Sequence, residues 1–294
     1  VALRIGNLLV GNDEGAAGIE VQTFPFELRF ERDTQIAVTG AHSDRSRLGT
    51  RPLMPWWSFI ARAGDLLTIT HPQQGARSYV SVGGGIDVPE VLGSRSTHLR
   101  NAFGGLAGRA LTKGDHLTVV PHIPRGMVEV GVTPPHAILS DGQPGGELSV
   151  RAIPGADFET FPEAARRAFF ESDWKITSQS DRTGYRLKGE PLLLDEHMEL
   201  RSYGLVAGIV QVPPSGQPIV QMADANTAGG YPRLAGVIEA DLWRLAQAPL
   251  GSRLRFIQID YPDAVAALRP MADYLADVRH TIRTIRGALL RRAT

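Results

Sequence analysis

Between Ser202 and Arg233 the chain reads SYGLVAGIVQVPPSGQPIVQMADANTAGGYPR, with five glycines, four prolines and no Lys or Glu. Neutral polar groups are concentrated there: Gln211, Asn226 and Thr227, with Asp224 and the flat ring of Tyr231 beside them. Amide and hydroxyl side chains of this kind donate and accept hydrogen bonds without carrying charge, which suits an amide or ureido ligand. Glycine and proline shape the backbone around such a ligand, and loops of this composition are where binding residues concentrate. A second cluster, SQSDRTGYRL, places Asp181, Arg182, Tyr185 and Arg186 within six residues around one glycine. Two guanidinium forks can clamp a carboxylate or phosphate in two planes, and a neighbouring Asp can orient one fork or move a proton. Asp181 and Asp224 are therefore the candidate proton-transfer residues. A third cluster, GGGIDVP followed by VLGSRST, offers Gly84 and Gly85 as backbone donors to an anion, and Ser94 and Ser96 as hydroxyls flanking Arg95. Each cluster also has a purely structural reading: a capped hairpin, a local Asp–Arg turn, a tight glycine turn.

The elements that must position these groups are mostly strands. Short apolar runs bounded by Gly, Asp and Pro recur at 19–22, 26–30, 34–38, 66–70, 78–82 and 116–120. They have the length and borders of barrel or sandwich strands. Residues 121–146, rich in Pro and Gly, read as a linker enclosing a strand-like stretch at 127–132. A second β-rich unit follows, with strands expected at 147–153, 204–212, 218–222 and 253–260 and short helices at 163–171 and 239–246. Pro162 fits a helix start, where its missing N–H costs nothing. The end of the chain carries apolar residues at 264, 268, 271, 275, 278, 282, 285 and 289, one stripe of a long helix that Pro270 kinks or starts. This stripe is expected to lie on its own domain, contact with a partner being the sharper alternative. The pattern gives a mainly β chain with a few helices in two domains, 1–125 and 126–294, the long helix belonging to the second.

Composition removes several function classes. Lys plus Arg and Asp plus Glu are 31 each, so nothing in the charge asks for nucleic acid or an anionic membrane. Cysteine is absent, which excludes disulfides, thiolate metal sites and a Cys nucleophile, and fits a reducing, cytoplasmic setting. The eight His have no metal-ligand spacing, so no metal is expected. No run of about 18 apolar residues spans a bilayer. There is no G-x-x-x-x-G-K-[ST] loop, no H-E-x-x-H and no G-x-S-x-G elbow. Since the chain opens at Val1 inside ordinary-looking sequence, its natural start is expected upstream.

VLGSRST, SQSDRTGYRL, QVPPSGQPIV and ADANTAGGYPR, with IGNLLVGNDEGAAGIE near the start, resemble the signature blocks of one family. It is the allophanate hydrolase subunit 2 family, also called the biotin-dependent carboxyltransferase-domain, Kip-inhibitor-antagonist or C-type 5-oxoprolinase family. The resemblance spans essentially the whole chain. It implies two cyclophilin-like β-barrel domains and a small-molecule substrate. It implies partnership with a related B-type subunit (Kip-inhibitor or allophanate hydrolase subunit 1-like) and a third subunit, in an assembly that opens 5-oxoproline with ATP. Fused relatives are carboxyltransferase parts of urea carboxylase, which implies a biotin-dependent alternative. A non-catalytic regulatory partner of a kinase-inhibitor protein is a third reading. On the leading one, Arg95, Arg182 and Arg186 hold a carboxylate or activated phosphate, Gln211, Asn226 and the glycine backbone hold the lactam amide, and Thr227 binds substrate beside them. Tyr185 and Tyr231 line the same site.

Overall fold

The computed structural model describes residues 1–120, 127–135, 146–195 and 200–292. The chain is mainly β and falls into two compact units, Val1–Pro135 with Tyr274–Thr294, and His136–Asp273. Most of the linker expected over 121–146 lies outside the described residues.

The first unit opens with helix α1 (Ala2–Val10), which the strand-seeking reading of this stretch passed over. Ile5 and Leu9 are fully buried on one face, the spacing of an amphipathic helix. Eight strands follow: β1 (Ile19–Val21), β2 (Phe26–Arg29), β3 (Thr34–His42), β4 (Arg47–Leu48), β5 (Arg51–Pro52), β6 (Trp57–Ala61), β7 (Leu66–Ile69) and β8 (Gln74–Val82). They form two four-stranded antiparallel sheets, in the orders β1-β8-β3-β6 and β2-β7-β4-β5. Ile36, Leu67, Ile69, Val80 and Val82 build one shared core. Two expected strands are absent among the described residues. Residues 116–120 contribute only the isolated bridge Ile86↔Val119, and 127–132 only Trp57↔Gly131.

The second unit holds a closed seven-stranded barrel, β10-β11-β14-β13-β16-β9-β17. Its strands are β9 (Glu147–Pro154), β10 (Trp174–Ile176), β11 (Gly184–Lys188), β13 (Ile209–Gln211), β14 (Ile219–Gln221), β16 (Arg233–Val237) and β17 (Arg253–Gln258). β9 and β17 run parallel in register 147↔253, and the other pairs are antiparallel. Closure removes every free edge of that sheet. A separate two-stranded ribbon, β12 (Tyr203–Gly204) with β15 (Ala228–Gly229), stands off the barrel. The strand expected at 204–212 is thus broken in two, turning at Gly208, whose N–H reaches the Gln221 carbonyl at 2.8 Å. Helices α2 (Glu163–Glu171), α3 (Glu239–Leu245) and α4 (Tyr261–Ala266) complete the unit. Phe169 of α2 stacks on Phe256 of β17 with ring centres 4.3 Å apart, and its carbonyl accepts the Trp174 indole N–H at 3.0 Å.

The last helix, α5 (Arg269–Arg292), begins anew after α4, with Pro270 in its first turn. From Tyr274 onward it belongs to the first unit, not the second as its place in sequence suggests. The reason is a set of tertiary contacts. Leu275, Val278 and Ile282 are buried. The Arg279 Nε donates to Glu14 at 2.8 Å, Arg286 donates to the Leu9 carbonyl at 2.9 Å, and the Tyr274 hydroxyl donates to the Thr133 carbonyl at 2.7 Å. Glu14 is also bound by Arg4 at 2.7 Å. Burial would raise its carboxyl, but the hydrogen bonds from Arg279 and Arg4 outweigh that and hold it below its ordinary value. Among the described residues no helix is long and apolar enough to cross a membrane.

A fully buried carboxylate ties α3 to the barrel. Asp241 accepts from the Arg151 backbone N–H at 2.8 Å and from its guanidinium at 3.0 and 2.7 Å. Burial pushes the Asp241 carboxyl up, yet the Arg151 bonds pull it below the ordinary value of 3.8. Its stabilisation is therefore complete above that value and fades as pH falls through the lower, folded one. Asp241→Asn is expected to lower the unfolding free energy by roughly 3 kcal/mol, the scale of breaking a buried pair. Denaturant titration at pH 7 and at about pH 3 checks both points: the deficit of the variant should shrink at the lower pH.

Candidate functional site

The second unit brings two of the three clusters onto neighbouring strands. The turn from β10 to β11 is shaped by Asp181, whose Oδ1 accepts the N–H groups of Thr183 at 2.8 Å and Gly184 at 3.2 Å. Such local bonds are what Asp side chains do in turns. Ser180 fastens the other side of the loop, its Oγ accepting the Arg186 N–H at 2.9 Å. With Asp181 committed to the turn, Arg182 finds its carboxylate just beyond the neighbouring strand β14. Its Nε and Nη2 bond the two oxygens of Asp224 at 2.7 and 3.2 Å, a two-pronged pair 23% and 17% exposed. The Asp224 N–H also bonds the Arg182 carbonyl at 2.9 Å. Fork-on-carboxylate geometry fixes direction as well as attraction.

Beside this pair lies an amide relay. Gln211 and Gln221 occupy matching positions in two IVQ segments, facing away from Val210 and Val220, which belong to the core. The Gln221 Nε2 donates to Gln211 Oε1 at 3.0 Å. The Gln211 Nε2 donates to the Tyr203 hydroxyl at 2.9 Å and to the Tyr231 carbonyl at 3.3 Å. The Tyr203 hydroxyl donates to that same carbonyl. The Arg233 guanidinium stacks over the Tyr203 ring at 3.9 Å and bonds Asp157 at 2.8 Å. Burial raises the Tyr203 phenol above its ordinary value, against the opposing pull of the Gln211 bond. Burial also pushes the Asp157 carboxyl up, but Arg233 side-chain and backbone bonds prevail and leave it lowered.

This arrangement changes the roles read from sequence. Gln211 is only 3% exposed and has spent both amide hydrogens and its oxygen within the protein. It fastens the ribbon to the barrel, with both amide hydrogens engaged there. The space beside Gly229 is filled as well: a Cβ there would stand 3.0 Å from the Gln211 Nε2. At Gly230 a Cβ would meet the Leu200 carbonyl at 3.0 Å. Tyr185 is 1% exposed in the barrel core, its hydroxyl 3.5 Å from the Ala248 carbonyl, so it lines no site reached from solvent. Arg186 is exposed on β11. Asn226 and Thr227 lie on the turn into the ribbon, with Thr227 exposed and its carbonyl accepting the Leu205 N–H at 3.0 Å. Tyr231 is 46% exposed, presenting its ring while its carbonyl is held by two donors.

The third cluster belongs to the first unit. The Gly84 N–H donates to Asn12 Oδ1 at 2.7 Å and the Gly85 N–H to the Val82 carbonyl at 2.8 Å, so neither is presented to an anion. Arg95 donates to the Val88 carbonyl and lies 3.9 Å from Glu90. The Ser94 Oγ accepts the Ser96 N–H at 3.1 Å. Tyr203, Arg233, Asp157 and Gln221 were not singled out from sequence. The doubled IVQ was the available signal, since two polar residues at one position of two apolar strands must share a buried face. Among the described residues no group of His, Asp and Glu is arranged to hold a metal ion.

The chain resembles proteins of known name along nearly its whole length. Residues 1–258 match the family model "Carboxyltransferase domain, subdomain A and B". The C-type subunit of 5-oxoprolinase from Escherichia coli is 44% identical over 273 residues, 93% of this chain and 85% of that protein. Its counterpart of the same name from Haemophilus influenzae is 39% identical over 283 residues, 96% and 88% of the two chains. Among solved structures, the Kluyveromyces lactis urea carboxylase superposes with a TM-score of 0.82 at 26% identity, covering 95% of this chain and 26% of that much longer one. The chain belongs to the carboxyltransferase-domain family, subdomains A and B.

Proposed function

We propose that this chain is the C-type subunit of an ATP-dependent 5-oxoprolinase complex, a hydrolase of the C–N bond in a cyclic amide. The observation that carries this is the 44% identity, over nearly the whole chain, to a protein named as the C-type subunit of 5-oxoprolinase. The likeness to a urea carboxylase is lower, at 26% identity, and concerns about a quarter of that chain, so biotin-dependent carboxyl transfer is the weaker reading.

Amide resonance makes a lactam carbonyl a poor electrophile. Phosphorylation of its oxygen by ATP, bound in the assembled complex, supplies a leaving group. Water then adds to the carbon and the ring C–N bond breaks, the nitrogen leaving as the free amine; a second water hydrolyses the resulting acyl phosphate to the acid and phosphate. The part assigned to this chain is grip and orientation. Arg182, aligned by Asp224, takes the ring carboxylate; Asn226 and Thr227 face the lactam amide from the ribbon turn; Tyr231 supplies a flat wall. Asp224 acts here as a positioning residue, because its two oxygens are occupied in directing the guanidinium. Oriented donors of this kind stabilise charge as it develops on the reacting carbonyl.

Reconstitution with the companion subunits and assay of ATP-dependent glutamate release from 5-oxoproline tests the reading. Arg182→Ala is expected to lower kcat/KM by about 100-fold, the loss of a charge-assisted pair on the substrate. Turnover unchanged in both Arg182→Ala and Asn226→Ala would remove the site assignment. A separate outcome tests the scaffold. Gln211→Leu leaves Gln221 and the Tyr203 hydroxyl short of a partner, so unfolding free energy should drop by roughly 1–3 kcal/mol. A variant as stable as the parent in urea titration would show that the amide relay is dispensable.

A further inference from the structure

The amide relay has a direction, and a backbone group sets it. The Tyr231 carbonyl can only accept hydrogen bonds. Gln211 must therefore turn its nitrogen toward that carbonyl, at 3.3 Å, which leaves the Gln211 oxygen facing Gln221. That oxygen can only accept in its turn, so Gln221 must present its nitrogen to it, at 3.0 Å. The carbonyl oxygen of the Gln221 amide is thereby turned away from Gln211. Among the described residues it accepts no hydrogen bond, although Gln221 keeps only 6% of its surface exposed. Buried amide oxygens are seldom left so, because the lost hydration is not replaced. The relay holds an acceptor in one orientation and gives it no donor from the described chain.

The strand register places this acceptor beside the directed cation. Across β14 and β11, Gln221 pairs with Gly184, a neighbour that puts no side chain over the amide. The two chains then continue together past the end of the strands. The Met222 N–H bonds the Thr183 carbonyl at 3.0 Å, and the Asp224 N–H bonds the Arg182 carbonyl at 2.9 Å. Gln221 thus lies on the same stretch of ladder as the pair in which Asp224 directs the Arg182 guanidinium. An amide oxygen neither donates nor titrates near neutral pH; what it recognises is an N–H or O–H. A cation and such an acceptor, carried on adjoining lengths of chain, match a ligand whose carboxylate and amide nitrogen share one carbon.

We propose that Gln221 accepts the amide N–H of the ligand and selects for it. This rests on the 5-oxoprolinase reading above, in which the group bound is the ring N–H next to the carboxylate taken by Arg182. Gln211, Tyr203 and the Tyr231 carbonyl are then positioning groups, since they decide which way the Gln221 amide faces. The probe is 5-oxoproline against its N-methyl analogue, which keeps the ring and the carboxylate and has no N–H. Complex reconstituted with parent or Gln221→Leu chain is assayed for ATP-dependent turnover of both compounds, and equilibrium dialysis measures the binding of both. The parent is expected to favour 5-oxoproline by at least about 100-fold in kcat/KM, because a site built around an N–H rejects the analogue that lacks it. Gln221→Leu should lose at least about tenfold on 5-oxoproline and stay within about threefold of the parent on the N-methyl compound, so that the preference collapses. A purely structural glutamine would lower both substrates alike and keep their ratio, and that result overturns the proposal while leaving the oxoprolinase reading. A parent complex that handles both compounds within about threefold overturns it too, without relying on any variant to fold, and assigns the oxygen to a buried water. No turnover, with a Gln221-dependent preference for the N–H compound in dialysis, sinks the oxoprolinase reading and leaves the acceptor. No turnover and no such preference ends both.

Discussion

A buried amide has to satisfy all of its polar atoms at once, and Gln211 does so in a way that fixes the surface around it. Its oxygen is bound by the barrel through Gln221, and its nitrogen by the ribbon through Tyr203 and the Tyr231 carbonyl. Leaving any of these unpaired in a desolvated place would cost about as much as a hydrogen bond to a buried group is worth, roughly 1–3 kcal/mol. The ribbon therefore cannot slide on the barrel without breaking bonds it cannot replace. Tyr231, Asn226 and Thr227 inherit that fixity, because they flank strand β15. The close approach at Gly229 is part of the same constraint, since any side chain there would displace the amide.

Charge in the second unit follows a similar rule. Three Arg–Asp pairs, 151–241, 182–224 and 233–157, each bind through two nitrogens. Their partners are 90, 42 and 76 residues apart, so each staples segments that only the fold brings together. The planar fork makes these joints directional, which a lysine would not do. Arg182–Asp224 differs from Arg151–Asp241 at the acid: Asp241 is fully buried under a partly exposed Arg151, whereas Asp224 keeps some access to solvent.

Much of the architecture was legible in the residues. β1, β2, β7 and the helices at 163–171 and 239–245 fall where alternation and helix-start signals place them, because period-2 and period-3.6 burial is imposed locally. Pro270 marked the break between α4 and α5 for a local reason too. What was hidden depended on distant partners. α1 hid because a short apolar run is as compatible with a strand as with a helix, and only β3 and β8 beneath it decide. The destination of α5 hid because its stripe says that it must be covered and not by what; Glu14 and Thr133 answer that from over a hundred residues away. At the candidate site the polar clusters were visible, but their internal economy was not. Asp181 looked like a natural partner of Arg182 and instead holds the turn, while Tyr185 looked like a substrate-binding residue and is core.

That redistribution narrows what a ligand can meet. A side chain whose hydrogen-bonding capacity is spent inside the protein positions others, and only groups with exposed surface can contact a substrate directly. Gln211 and Tyr185 fall on the positioning side, with 3% and 1% exposure. On the other side stand the half-exposed ring of Tyr231, the exposed turn at Asn226 and Thr227, and the partly exposed Arg182. These are largely neutral groups with one directed cation. They can orient a small planar acid, but they cannot by themselves exclude water from a reacting carbonyl, and electrostatic stabilisation weakens in a wet site. On the function proposed above, such groups gain catalytic power when a second protein closes over them. That is what a chain of this type would contribute to an assembly: a rigid floor with its guanidinium already aimed.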